Sequence, residues 1–183
     1  MTANVKYTVQ PLGKQDRAAF HCGNEELDSY FLERASRDVR ENLSAVFVLL
    51  TEEDPNTLGY YTLSPQEVEI ENLPEDLRKR TGRYKRVGVT LLGRLAISQE
   101  QQGKGAGEFL LLNALERILH NTKHVASFAV VVDPKDERAA KFYEKYGFLR
   151  LENNRQLLPM KTIKRLFESL EKQEQEADHN AAV

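Results

Sequence analysis

The run Gln102-Gly103-Lys104-Gly105-Ala106-Gly107 is the part of this chain whose residue types and spacing speak most directly of chemistry. It follows the apolar stretch GRLAI and opens the helical pattern EFLLLNALERILHN, so several backbone N–H groups are expected to face one space at the positive end of a helix dipole. Such a place binds anions. Glycines there let a phosphate reach the main chain with no Cβ in the way, and Lys104 adds a movable positive charge. A tight turn uses the same residues, so the pattern alone leaves both readings open. It lacks the Lys-Ser/Thr that closes a P-loop, and it has neither the full G-x-G-x-x-G nor the later acid of a dinucleotide site.

Other chemistry-bearing residues are sparser. The single Cys22 follows His21 in a short polar segment with no second ligand pattern nearby, so a structural thiol is expected and no metal site is indicated. Glu67 and Glu69 alternate along a strand pattern, where solvated glutamates are commoner than general bases. Arg78, Lys79, Arg80, Arg83, Lys85 and Arg86 crowd one segment without an intervening acid, and Arg34, Arg37 and Arg40 line one helix. Either set fits a phosphate-binding patch or a solvated charged face.

The elements that must position these residues alternate between helix and strand, which favours an α+β, α/β-layered architecture over a bundle or a sandwich. Tyr7 to Leu12, Ala45 to Leu50, Leu58 to Ser64 with Glu67 to Ile70, and Val87 to Ile97 read as strands, the second and third joined by the turn DPNT. Asn24 is a candidate N-cap for a helix carrying Leu27, Phe31 and Ala35 on one side. Leu73 to Arg86 fits a short helix or an ordered loop. After the glycine turn and its helix comes the apolar strand Ala126 to Val132, making a strand-helix-strand crossover. A second helix, Glu137 to Tyr146, stops at Gly147, with Phe142 and Tyr146 as core aromatics beside Ala139. Phe148 to Leu151 and Met160 to Phe167 read as closing strands.

The 183 residues suit one domain, residues 1–167, followed by a tail, 168–183, that holds five acids against one base and is expected to fray. The whole chain carries −2, so the tail's −4 leaves the remainder at +2. No run approaches the roughly 20 apolar residues that span a bilayer. The first residues, MTANVKYTVQPLG, lack the layout of a signal peptide, and one cysteine cannot make an internal disulfide. A cytoplasmic protein away from membranes is expected.

Three segments together resemble the GNAT superfamily of acetyltransferases. The turn resembles its Q/R-x-x-G-x-G/A motif, the strands GRLAIS and ASFAVVVDP flank it in order, and AAKFYEKYGF resembles its A-x-x-F-Y-x-x-x-G-F helix and strand. The resemblance implies a GNAT fold, with a central mixed twisted sheet of six to seven strands flanked by about four helices. It also implies acetyl-CoA as cosubstrate, held by Gln102, Gly103, Lys104, Gly105, Ala106 and Gly107 at its pyrophosphate and by the main chain of Leu95, Ala96 and Ile97 along its pantetheine arm. Amine attack on a thioester passes through an oxyanion and expels a thiolate, so a backbone donor and an acid are needed. The resemblance assigns the acid to Tyr143. No carboxylate stands out as a base, which favours an α-amine of pKa about 8 over a lysine amine of about 10.4.

FHCGNEELDSYFLERA, GYYTLSP, LLGRLAIS and QQGKGAG further resemble the GNAT toxins of bacterial toxin–antitoxin modules, in which Ser98 is usually an acid. That resemblance implies aminoacyl-tRNA as acceptor, a ribbon-helix-helix antitoxin, and a homodimer. Arg78, Lys79, Arg80, Arg83, Lys85, Arg86 and Arg94 would then meet the tRNA. The alternative is a metabolic, peptide or protein N-acetyltransferase acting on a small or N-terminal amine.

Overall fold

The computed structural model describes residues 6–52, 54 and 56–181. The MTANV start, on which the signal-peptide reading partly rested, and Pro55 of the DPNT turn lie outside these residues, as does the end of the tail. Seven strands form one sheet in the order β1-β2-β3-β4-β5-β7-β6. They are β1 (Tyr7–Pro11), β2 (Ala45–Thr51), β3 (Gly59–Glu69), β4 (Arg86–Ile97), β5 (Ala129–Val132), β6 (Leu149–Arg150) and β7 (Gln156–Pro159). Strands β1, β2 and β3 are antiparallel neighbours, as are β5, β7 and β6. Helix α4 (Ala106–Asn121) makes the crossover from β4 to β5, and the sheet is mixed, as expected.

Two compact units make up the chain. The first, Met1–Ser64 with Leu91–Ala114, contains one helical stretch of three parts: α1 (Glu25–Ser29), a π turn (Tyr30–Arg34) and α2 (Ala35–Arg40). Asn24 caps it as expected, its side chain accepting the Leu27 N–H at 3.1 Å. Within the π turn the Ala35 N–H donates five residues back, to the Tyr30 carbonyl. This local widening lets Tyr30, Phe31 and Ala35 all enter the core with Phe20, Val46, Val48, Tyr60 and Ala96. Phe31 and Tyr60 stack nearly parallel at 4.2 Å, and the Tyr60 hydroxyl donates to the Leu27 carbonyl at 2.8 Å. Each such aromatic pair contributes about 1 kcal/mol beyond its buried area.

The second unit, Pro65–Thr90 with Leu115–Val183, holds α3 (Glu75–Arg78), α5 (Glu137–Lys145) and α6 (Met160–Ala181). Its core is Val130, Val131, Val132, Ala140, Tyr143, Phe148, Leu157, Leu158 and Ile163. Asp136 caps α5 by accepting the Ala139 N–H at 2.7 Å, and Gly147 ends it at φ +90°. Arg150 on β6 ties to α5 through Glu137 and Glu144.

Two expectations for the C-terminal region are corrected. Residues 160–167 are not a strand: they begin α6, and the closing strand is β7, just upstream. Ile163, Leu166, Phe167 and Leu170 recur at helical spacing and are the positions of this stretch drawn inward. The acidic segment after Glu168 continues the same helix to Ala181, because Glu, Gln, Lys and Ala are good helix formers and an anchored helix needs no new nucleus.

Candidate functional site

In the first unit, β4 ends at Ile97, and β3 approaches it closely. A Cβ on Gly59 would stand 2.9 Å from the Ala96 carbonyl oxygen, so only glycine fits there. The Ser98 N–H donates to the Leu58 carbonyl at 2.8 Å, closing this end of the strand pair, while the Ser98 hydroxyl is buried without a partner. Leu95 is half-buried, and Ala96 and Ile97 are buried.

Beyond Ser98 a short 3-10 turn, Gln99–Gln101, leads into the glycine turn. Gly103 and Gly105 take φ of +74° and +83°, which L side chains rarely adopt, and nothing lies within 4 Å of where a Cβ on either would stand. The space over the turn is open. Gly103, Lys104 and Gly105 are exposed, and Ala106 is buried where α4 begins. The first turn of that helix leaves its N–H groups without intrahelical acceptors. Exposed amides, left-handed glycines and a helix N-terminus together make an anion cradle that a Cβ would fill. Gln102, expected at the diphosphate, also anchors the turn by its side chain. Its side-chain amide donates to the carbonyls of Cys22, at 2.9 Å, and Ile97, at 3.0 Å, so it braces the turn from within the protein.

Arg94, also on β4, lays its guanidinium 3.6 Å from the centre of the Tyr30 ring. Arg34 approaches the same ring at 5.4 Å. Burial and the Asp38 carboxylate push the Tyr30 phenol up, and Arg94 pulls it back. Burial, with Asp28 beside it, pushes the Cys22 thiol up to about 11, away from the thiolate form.

In the second unit Tyr143 is buried, at 8 % exposure, with ring centres of Phe142 and Phe148 each 5.3 Å away. Burial alone pushes its phenol well above the ordinary tyrosine range, so the hydroxyl stays protonated and able to donate. Phe142 and Tyr146, expected in the core, are only half-buried, and Tyr143 is the α5 aromatic that packs inward. One turn earlier, the buried Gln156 side-chain amide on β7 donates to the Ala140 carbonyl at 3.1 Å and ties α5 to that strand.

The basic residues from Arg78 to Arg86 are all exposed, but their charges are not equivalent. Lys79 pairs with Glu75 at 2.9 Å, and Arg86 lies 3.4 Å from Glu67 and 3.6 Å from Glu69. Those two glutamates are therefore exposed ion-pair partners of Arg86 on β3. Arg80 sits over Phe128 at 5.5 Å. Among the described residues Arg78, Arg83 and Lys85 have no carboxylate partner. The described residues also contain no cluster that could hold a metal, and no helix among them is long and apolar enough to cross a membrane.

A strand that ends in an anion cradle, and a crossover helix leading to an aromatic-bearing α5, correspond to a known pattern: residues 14–148 match the acetyltransferase (GNAT) family. The chain is a GNAT acetyltransferase. This acetyltransferase is 26% identical over 176 residues to the probable toxin TacT of Sinorhizobium fredii, across 90% of this chain and 97% of the relative. It is 30% identical over 133 residues to a tRNA-acetylating toxin of Mycobacterium tuberculosis, across 73% and 78%. Among solved structures it is similar to AtaT complexed with acetyl-methionyl-tRNAfMet, with TM-score 0.82 and 28% identity over 88% of this chain and 99% of that one. It is also similar to a tyrosine-to-phenylalanine mutant of AtaT bound to the C-terminus of the antitoxin AtaR and acetyl-CoA, with TM-score 0.75 and 28% identity over 89% and 99%.

The sequence reading missed the His21–Asp28 pair and the Gly59 contact. His21 Nδ1 lies 2.7 Å from Asp28 Oδ2, and Asp28 Oδ1 accepts the Cys22 N–H at 2.8 Å. The available signal was an acid between Leu27 and Phe31, on the inward side of the helix.

Proposed function

We propose that this acetyltransferase is the toxin of a toxin–antitoxin module and moves acetyl from acetyl-CoA to the α-amine of the amino acid on a charged tRNA, stopping translation. The opening of α4 carries the cosubstrate half of the reading: two left-handed glycines under open space, ahead of helix amides that need an acceptor. The acceptor half draws on AtaT, whose likeness spans most of both chains and which is complexed with an acetylated methionyl-tRNA.

Bound acetyl-CoA supplies the activated acyl group. The amides from Gly103 to Gly107 hold its diphosphate, with Lys104 as mobile counter-charge and Gln102 bracing the turn. The main chain of Leu95, Ala96 and Ile97 lines the pantetheine arm and offers an N–H to the thioester carbonyl. Tyr143 keeps its proton at working pH and delivers it to the departing sulfur. Arg78, Arg83 and Lys85 take tRNA phosphates directly, and Lys79, Arg80, Arg86 and Arg94 add to the same field. The protein works in the cytoplasm as a homodimer, and its antitoxin is a ribbon-helix-helix protein whose extended tail covers the active site, in keeping with AtaT bound to the AtaR C-terminus.

Purified protein incubated with labelled acetyl-CoA and charged tRNA should yield N-acetyl-aminoacyl-tRNA. Efficient turnover of free amino acids or peptides, with charged tRNA untouched, would reject the toxin reading and leave a small-amine acetyltransferase.

A further inference from the structure

The glycine turn is exposed and has open space around it, so something else in the first unit must fix its entry. The segment His21-Cys22-Gly23 does so. The His21 carbonyl accepts the Gln99 N–H at 2.9 Å, and the Cys22 carbonyl accepts the Gln102 side-chain amide at 2.9 Å. Gly23, at φ +84°, lies so near that a Cβ there would stand 2.6 Å from the Gln99 side-chain nitrogen. The two carbonyls that grip the turn belong to the two residues that Asp28 holds, through the Cys22 N–H at 2.8 Å and the His21 ring at 2.7 Å. Asp28 is nearly buried, and such a carboxylate is costly unless hydrogen-bonded. Here its oxygens serve a segment that bonds Gln99 and Gln102, at the entry to the anion cradle.

We infer that Asp28 is a positioning residue for acetyl-CoA: through His21 and Cys22 it sets the Gln99–Gln102 entry so that the amides beyond it are already arranged for a diphosphate. The gain is preorganisation, since a loose turn would have to be ordered at the cost of affinity on each binding event. Asp28 acts through His21 and Cys22, the residues its oxygens bond, so its effect falls on affinity rather than on the chemical step. The inference rests on the turn being the coenzyme A site.

Titration calorimetry with coenzyme A as the probe tests it. Asp28→Ala and Gln102→Ala should each raise Kd about tenfold, and the double variant should be no more than about twofold worse than the weaker-binding single, because both cut one chain of hydrogen bonds. In Asp28→Ala, KM for acetyl-CoA should follow Kd while kcat stays within about threefold. Asp28→Asn, which keeps an acceptor for the Cys22 N–H, should fall between, and it carries the test if the alanine variant does not fold. Unchanged Kd in a folded Asp28 variant, or losses that multiply in the double variant, would overturn the clasp alone. Wild-type protein that ignores coenzyme A would remove the cosubstrate reading and the clasp with it.

Discussion

At the scale of single residues, the assignment that most needs testing is Tyr143. Its burial keeps the phenol neutral, and a neutral phenol has a proton to give. Replacing it with phenylalanine retains the packing against Phe142 and Phe148 and removes only the oxygen. Tyr143→Phe should therefore lower kcat at least about hundredfold, the smaller end of what a positioned acid contributes, with coenzyme A affinity unchanged. Steady-state kinetics beside calorimetry separates the two. An equal loss in both would make Tyr143 a packing residue. The glycines of the turn and the F-Y pair were legible because they sit in spaced motifs. Asp28 and Gly59 were not: a buried carboxylate reads as one more acid in an acidic first turn, and a glycine needed for close strand approach looks like any other.

Elements explain which parts of the fold could be read. Strands β2 and β3, the Asn24 cap and the α4 crossover follow from short-range patterns, and they lie where those patterns put them. The C-terminal region was legible too: Met160, Ile163 and Phe167 stand at i, i+3 and i+7, the helical spacing that Leu170 extends, and reading a strand there passed over that repeat. Ile163 is fully buried, so Ile163→Ala should cost about 2–5 kcal/mol and lower Tm accordingly. Truncation after Phe167 keeps Ile163 and removes mainly exposed helix, so its Tm should stay much closer to that of the full chain. In the turn, Gly105→Ala places a Cβ in open space at φ +83°, and should cost only about 1 kcal/mol of stability while weakening coenzyme A binding far more. Thermal melts with and without coenzyme A distinguish the two effects.

For the molecule as a whole, a net charge of −2 conceals a body that is slightly basic once the acidic end of α6 is set aside. Binding of charged tRNA should weaken steeply with salt, and Arg83→Glu with Lys85→Glu should reduce the log–log slope by about one for each phosphate no longer neutralised. A flat response in the wild type would exclude a phosphate-dominated interface. Three buried tyrosines, Tyr30, Tyr60 and Tyr143, have phenols pushed above their ordinary range, chiefly by burial. Below pH about 10 both folded and unfolded states keep those protons. Above it the unfolded chain releases them first, so stability must decline as pH rises further. Melting curves from pH 8 to 11 should stay level and then fall, with a shallower fall in Tyr143→Phe.

The widened turn at Tyr30–Arg34 holds one residue more than a regular helix would use over the same rise. A helix ordinarily tolerates no shortening, because losing one position swings everything downstream by about 100°. Here the surplus absorbs it. Excising Leu32, whose side chain is exposed, converts the wide turn to an ordinary one and leaves Asn24 and Ala35 each facing as before. The chain thus carries a site where its length can change by one without reorienting either flank.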